Sequence, residues 1–490
     1  MRIVPWALVA AGLAACSSGP DYVRPAMELP GAYKEGAAWT VAQPHPAEAH
    51  RPWWEVFGDP DLNRLETRAD AANQTLHQLE AVYRGARAQV DLTRAGLWPT
   101  VDVNASVHRA RSNTTGISTL GNVGALSLDA SWAPDLWGGV RRSVEAASAG
   151  AQASADDLAG ARLSVQAELA SDYLVLRVTD VLRDLYADTT TGYAKALELT
   201  QSQYRHGTAL HSDVALAEST LKAAQAQAAD LNAVRAQLEH AIATLSGQPA
   251  SGFSLSERRM TLLQLRDSVP AIPPGVPSQL LERRPDIAAA ERRAAAANAN
   301  IGVAQAAFYP SLVLTAGGGG TSGTLAGLFD TPGRVWALGA TLAQTVFDAG
   351  ARTARRTLAE AAFDASAANY KQTVLAGLQQ VEDNLALLRV LDEEGRFQVD
   401  AVRSARSAED SVLRQFRAGT GPYLAVITAQ NLTLGNERAA AQIVGRQLTA
   451  AVNLITGLGG GWTAPPLDQV GTAADRARAP DRIDEPDMPP

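Results

Sequence analysis

The chain has 490 residues, enough for two or three ordinary domains, and a formal net charge of −8 at pH 7. With no basic cluster to displace counterions from a phosphate backbone, a nucleic-acid surface is excluded. The mean hydropathy of −0.09 fits a chain that is soluble or whose membrane part is not helical.

In chain order, Arg2 precedes an apolar run over residues 3–15, too short to span a bilayer and read as a secretory signal. Leu13-Ala14-Ala15-Cys16 resembles a bacterial lipobox. Residues 1–15 are therefore expected to be a lipoprotein signal peptide, with Cys16 acylated as the first mature residue. Cys16 is the only cysteine, so no disulfide is expected. Ser17 follows it, which by likeness to known bacterial lipoproteins favours the outer membrane.

Residues 16–60, rich in Pro, Gly and Trp, are expected to form a lipidated, extended N-terminal arm. From 61 to 97, Leu62, Leu65, Ala69, Leu76, Leu79 and Val82 follow a helical period that starts at Asp59-Pro60-Asp61 and stops at Trp98-Pro99. The period then drops to two: Val101, Val103, Ala105 and Val107 alternate with Asp102, Asn104, Ser106 and His108. A loop rich in Gly, Ser, Thr and Asn is expected over 112–124, and alternation resumes over 126–132. Two such strands fit a membrane-barrel hairpin, and fit the edge of a soluble β-sandwich as well. No apolar run of 18 or more residues follows the signal, so any spanning falls to strands.

Two proline-free stretches dominate the rest, 139 to about 204 and 350 to about 416, each roughly 100 Å long if helical throughout. Val374, Leu378, Val381, Leu385 and Leu388 in one, and Leu163, Ala167, Ala170 and Leu174 in the other, recur at three and four, a seam suited to coiled-coil packing. The two stretches are copies, because the chain repeats itself at an offset close to 211. Gly96-Leu97-Trp98-Pro99-Thr100 matches Ala307-Phe308-Tyr309-Pro310-Ser311, and Gly139 and Arg141 match Gly350 and Arg352. At the far ends Tyr204-Arg205-His206-Gly207-Thr208 matches Phe416-Arg417-Ala418-Gly419-Thr420. The second hairpin is expected at 312–315 and 335–347 around a loop at 317–333, and returning helices at 209–246 and 421–457. The organisation is a first repeat at 61–246, a proline-rich linker at 247–277, a second repeat at 278–460 and a disordered tail at 461–490.

Two hairpins give only four strands, too few to close a barrel or hide their edges, so closure needs several chains. Three copies would supply twelve strands, with the long helices packed as a tube on the same axis.

Cys16, Asp21-Tyr22-Val23-Arg24-Pro25, Asp135-Leu136-Trp137-Gly138, Leu281-Glu282-Arg283-Arg284-Pro285-Asp286-Ile287 and Ala307-Phe308-Tyr309-Pro310-Ser311 occur in this order. That series resembles the TolC/OprM family, nearest its NodT-type lipoprotein branch, over residues 16–460. The resemblance implies a membrane α+β fold: a homotrimeric TolC-like duct whose 12-stranded outer-membrane β-barrel, four strands per chain, continues into a long periplasmic α-helical barrel. It implies a passive channel of a tripartite efflux system in a Gram-negative outer membrane, lipid-anchored at Cys16. Its partners would be a periplasmic adaptor and an inner-membrane RND-type pump, its cargo drugs or other toxic small molecules. An ATP-driven type I protein-secretion system is the alternative on the same fold. A coiled-coil lipoprotein without a channel would leave the alternating strands unexplained.

The lumen of such a duct would be lined by Asp102, Asn104, Ser106, Ser127, Asp129 and Ser131. By the same resemblance the tips at 204–213 and 416–425 meet the adaptor, with Arg205, Thr208, Arg417 and Thr420 as contacts and Gly207 and Gly419 making the turns. Opening then untwists the inner helix pair. Asp213, six past Gly207, falls where family members set a ring of aspartates that attracts cations; a first-turn helix acid is the other reading. The second-half positions are Ala425 and Thr428, which leaves Tyr423 as the candidate to constrict there.

His206 and His211 flank Asp213, but with no cysteine and no second cluster no metal site is expected. The glycine run at 317–320 lacks the Lys-Ser/Thr of a phosphate loop and reads as flexible barrel or loop backbone. Without a HExxH, GxSxG or Ser/His/Asp pattern, neither an enzyme nor a cofactor is expected.

Overall fold

The computed structural model describes residues 18–35, 52–114, 117–270, 272, 283–324 and 326–462. The expected signal peptide, Cys16 and nearly all of the expected tail lie outside the described residues. The chain divides into two compact units, one of Met1–Met27, Ala81–Ala155 and Ala289–Gln372, the other of Glu28–Glu80, Asp156–Ala288 and Thr373–Pro490.

The first unit holds the only sheet among the described residues. Strands β1 (Thr100–Thr114), β2 (Ile117–Trp132), β3 (Ser311–Ser322) and β4 (Arg334–Ala343) pair antiparallel in that order. The register sorts the faces. Asp102 opposes Asp129 and Asn104 opposes Ser127 on one, whereas Val103, Leu128, Gly318 and Trp336 cross the other as a single row. The outer edges of β1 and β4 have no partner strand among the described residues.

Two expected loops are strand instead. The stretch expected as a loop at 112–124 is largely taken up by β1 and β2, because ladder pairing to Thr114 and Ile117 holds residues whose composition alone reads as loop. The glycine run at 317–320 lies inside β3. A Cβ on Gly317 would sit 2.6 Å from Asp129 Oδ1, and one on Gly319 would overlap the Leu126 carbonyl oxygen. Close approach of β2, rather than flexibility, calls for glycine here.

The repeat shows in the helix lengths. Helices α3 (Gly139–Arg205) and α7 (Ala351–Arg417) each have 67 residues, and the returning helices α4 (His211–Leu245) and α8 (Tyr423–Gly457) each have 35. All four boundaries stand 212 positions apart, and the positive-φ glycines before the long helices are Gly138 (φ 79°) and Gly350 (φ 88°). The expected match of Gly139 with Gly350 is therefore one residue out. Asp135 accepts hydrogen bonds from the Val140 and Arg141 amides at 3.0 and 2.9 Å, and Asp348 does the same for Gly350 and Arg352 at 3.1 Å. These carboxylates cap donors that a helix start leaves unpaired. Val374, Val381, Leu385 and Leu391 are buried along α7, as are Leu169, Ala170, Tyr173 and Leu176 along α3.

The first helix is divided. Helix α1 (Pro60–Ala72) starts at Asp59, whose carboxylate accepts from the Asp61 and Leu62 amides, and α2 (Gln74–Ala95) follows after a break at Asn73. Asn73 Oδ1 accepts from the Thr75 and Leu76 amides at 2.9 and 3.1 Å, while its Nδ2 donates to the Leu245 carbonyl at 2.9 Å. The apolar period runs through this break, so it is silent in the pattern.

Where it is described, the expected linker is held against the second unit's helices. It contains the short helix α5 (Leu262–Asp267), capped by Thr261 Oγ1. Arg177 and Arg235 donate to the Ser256 and Leu255 carbonyls at 2.9 and 2.8 Å and share the buried Asp180 at 3.1 and 2.7 Å. The second repeat's first helix, α6, is Pro285–Ala306.

Candidate functional site

The sheet is polarised like a wall between water and hydrocarbon. On its polar face Asn104 Nδ2 and Ser127 Oγ both donate to Asp129 Oδ2, at 2.9 and 2.6 Å. On the other face Val103, Leu128, Trp336 and Leu338 are all more than half exposed. Burying such a row in a soluble core would need a covering layer that the described residues do not supply; acyl chains supply it at no cost in unpaired backbone groups.

Aromatic side chains gather where strands meet helices. Trp132 Nε1 donates to the Leu97 carbonyl at 3.0 Å, and Trp137 stacks on Tyr309 at 4.9 Å while donating to the Pro310 carbonyl at 2.6 Å. Arg352 lies over the Phe308 ring at 5.6 Å. Such amphipathic rings suit the headgroup level of a bilayer. The arm is fastened here as well: Ser18 Oγ donates to the Trp137 carbonyl at 2.7 Å, and Arg142 reaches the Ser18 carbonyl at 3.0 Å and Asp21 at 2.8 Å. Among the described residues no helix is long and apolar enough to cross a membrane.

The second unit carries both turns. Gly207 and Gly419 have φ of 71° and 76°, and the two turns bond alike. The amides of Gly207 and Thr208 donate to the Tyr204 and Gln203 carbonyls at 3.0 and 2.9 Å; those of Gly419 and Thr420 donate to Phe416 and Gln415 at 2.9 and 3.0 Å. This is the Schellman arrangement, which needs a left-handed residue at that position. The Thr208 and Thr420 hydroxyls also donate to the Gln203 and Gln415 carbonyls, so their protons are already committed. Arg205 and Arg417 are exposed, and neither guanidinium bonds another described group.

The two gate candidates differ in placement. Asp213 is half-buried and accepts from the Leu210 amide at 3.0 Å, so it performs the first-turn role whether or not it does anything else. Tyr423 does not stand in open space as a constriction would. It is 7% exposed, its ring 5.4 Å from Phe416, in a cluster with Ala217, Val426 and Ile427. Burial raises the pKa of its hydroxyl. Residues of both repeats build this cluster, which ties the two turns together.

His206 Nδ1 lies 2.7 Å from the Ser202 carbonyl and His211 meets the Tyr204 ring edge-on at 5.8 Å. Among the described residues no group of three or more His, Cys, Asp or Glu could hold a metal ion. Sequence reasoning missed the Arg177–Asp180–Arg235 network and the buried Glu66. Charged residues on helical seams were the available signal, and their convergence depends on which helices become neighbours.

The protein-family model described as outer membrane efflux protein matches residues 65–248 and 276–460. The toluene efflux pump outer membrane protein TtgF of Pseudomonas putida is 30% identical over 92% of this chain and 95% of its own. The pyoverdine export outer membrane protein OpmQ of Pseudomonas aeruginosa is 29% identical over 92% and 95%. The solved structure of the outer-membrane channel OprN superposes with a TM-score of 0.84 at 30% identity, covering 92% of this chain and all of that one.

Proposed function

The chain belongs to the outer membrane efflux protein family and is the outer-membrane channel component of an efflux system, and from that premise we propose how its residues build and operate the duct. Three copies join edge to edge, β1 of one sheet to β4 of the next, closing a barrel of twelve strands. The observation that carries this is the sheet itself, which has one apolar face, one polar face and two open edges. Closure satisfies the edges, places Val103, Leu128 and Trp336 against lipid, and turns Asp102, Asn104 and Asp129 into a water-filled lumen.

Cys16 is the lipid anchor. Ser18, two residues on, is fastened beside Trp137 and Tyr309, which suits delivery of acyl chains to the periplasmic edge of the barrel. The turns at Gly207 and Gly419 face a periplasmic adaptor coupled to an inner-membrane RND-type pump, and the unpaired Arg205 and Arg417 offer it charged contacts, with Thr208 and Thr420 as acceptors. Asp213 contributes one carboxylate per chain to the closed end, where a ring of three favours cations. Tyr423 acts indirectly, by locking α8 to the Phe416 end of α7. Cargo moves passively, driven by the pump, and comprises small organic molecules of the kind named for the toluene and pyoverdine relatives.

The test is export in a Gram-negative strain lacking its own channel of this type. Expression of this chain with its cognate adaptor and pump is expected to restore resistance to toluene or to a fluorescent dye substrate. Unchanged accumulation, with the protein present in the outer membrane, contradicts the reading. Recovery only with an ATP-driven exporter, and of secreted protein, would transfer it to protein secretion.

A further inference from the structure

The apolar face of the sheet carries charge at one end only, and of one sign. Along β1 the positions sharing a face with Val101, Val103 and Val107 continue into Arg109 and Arg111, both exposed. On β4 the corresponding face begins at Arg334, in the row of Gly320, Leu126 and Ala105. No carboxylate of the four strands lies on this face; Asp102 and Asp129 are on the other. All three arginines lie toward the hairpin ends, away from the strand ends that join the long helices.

A cavity of about 400 Å3 on the same face is lined by Arg334, with Arg109 and Arg111 further along β1. Its floor is Val103, Leu126, Leu128, Gly318 and Gly320, and its roof is Leu328 and Phe329 from the segment between β3 and β4. The roof is seated by glycine: a Cβ on Gly320 would overlap the Leu328 carbonyl oxygen. Arg334 stands at the cavity and donates one N–H to the Phe329 carbonyl at 3.4 Å, which leaves other donors of its guanidinium for an anion.

An apolar slot with a guanidinium at its mouth and two more on the same face fits an acyl chain joined to a phosphorylated headgroup. We propose that this face docks the phosphorylated glycolipid of the outer leaflet, one acyl chain entering the slot and the headgroup phosphates bridging Arg334, Arg109 and Arg111. The proposal rests on the reading that the sheet spans the outer membrane with its hairpin ends outward. Charge complementarity selects this occupant: the outer leaflet presents phosphates on a sugar carrying several chains, and the face presents cations without a competing carboxylate. Docking would hold the barrel at a fixed depth and cover the cavity that a single chain leaves open.

The experiment compares the wild-type trimer with R109Q/R111Q/R334Q, both purified in mild detergent and examined by native mass spectrometry. Bisphosphorylated lipid A, its dephosphorylated form and phosphatidylglycerol serve as probes. The wild type is expected to retain lipid A at least tenfold better than either other lipid, and the variant to lose that preference. R109K/R111K/R334K, which keeps the charge, is expected to recover most of it. Equal retention of all three lipids by the wild type, or undiminished lipid A binding by the glutamine variant, overturns the proposal. Should the glutamine variant fail to assemble, the single substitution R334Q with the same probes decides it, an unchanged preference counting against the site. The efflux assay is independent: an active wild type without lipid A preference refutes only the docking site, whereas an inactive one refutes the channel.

Discussion

Asp102 and Asp129 stand directly opposite each other across the β1–β2 ladder, on the polar face of the sheet. Like charges in that relation destabilise a strand pair, and of the two Asp129 alone accepts side-chain hydrogen bonds, from Asn104 and Ser127. A pair kept in spite of repulsion points to water and cations in front of it. In the proposed trimer the two positions would supply the acids that the four strands contribute to the lumen wall.

The first prediction follows. Open channels in a planar bilayer under a salt gradient are expected to prefer cations, and D102N/D129N to move the reversal potential toward zero. An unchanged potential would place the aspartates outside the conduction path.

At the turns, Gly207 and Gly419 have positive φ, and a Cβ at either would meet nothing within 4 Å. Alanine there is strained by conformation alone, costing about 1 kcal/mol at each site, while asparagine is tolerated better. Hydrogen exchange at the Thr208 and Thr420 amides should quicken in the alanine variants by roughly fivefold and less in the asparagine ones. Identical rates in all three would remove the left-handed requirement.

Tyr423→Ala empties the cluster that joins the two turns. Large aromatic truncations of this kind cost on the order of 3–5 kcal/mol, whereas Tyr423→Phe forfeits only the hydroxyl, about 1 kcal/mol. Protease nicking around 416–423 is expected to rise sharply for alanine and barely for phenylalanine. Equal nicking would mean that the hydroxyl, not the ring, holds the turns.

Glu66 is 0% exposed, and neither of its carboxylate oxygens has a hydrogen-bond partner. Burial, reinforced by the charge of Asp70, pushes its pKa up to about 9 from an ordinary 4.5. A folded-state pKa above the unfolded one means that the native state binds the extra proton. Stability from this group is full below about pH 4.5 and is lost as pH rises toward about 9. Glu66→Gln stays neutral throughout, so its melting temperature should exceed that of the wild type increasingly from pH 5 to pH 8.5. A constant difference across that range would contradict a buried, protonated Glu66.

Much of this molecule is legible in the residues. Gly207 and Gly419 with similar flanks announce two equivalent turns, and the proline-free stretches between fixed punctuation give the long helices nearly to the residue. Legibility fails where partners decide. Residues 112–124 read as loop because Gly, Ser, Thr and Asn carry no alternation, yet ladder pairing makes most of them strand. Gly317 and Gly319 read as flexible because their reason, the crowding of β2, lies nearly two hundred residues away. Asn73 breaks a helix without disturbing its apolar period. Tyr423 suits a pore role by position alone, but its ring packs on Phe416, a contact across a turn that no period predicts.

The most direct test of the duct uses the turn at 204–213. Cys16 is the only cysteine, and with it acylated as proposed the mature chain would carry no free thiol, so Ala209→Cys becomes a unique handle. A bifunctional thiol reagent applied to living cells, followed by mass spectrometry of the trapped species, identifies what meets the turn. The predicted product joins this chain to a periplasmic adaptor that co-purifies with a proton-driven pump. The contradicting result is no periplasmic partner from Ala209→Cys or from a matching cysteine at the second turn, while the protein sits assembled in the outer membrane.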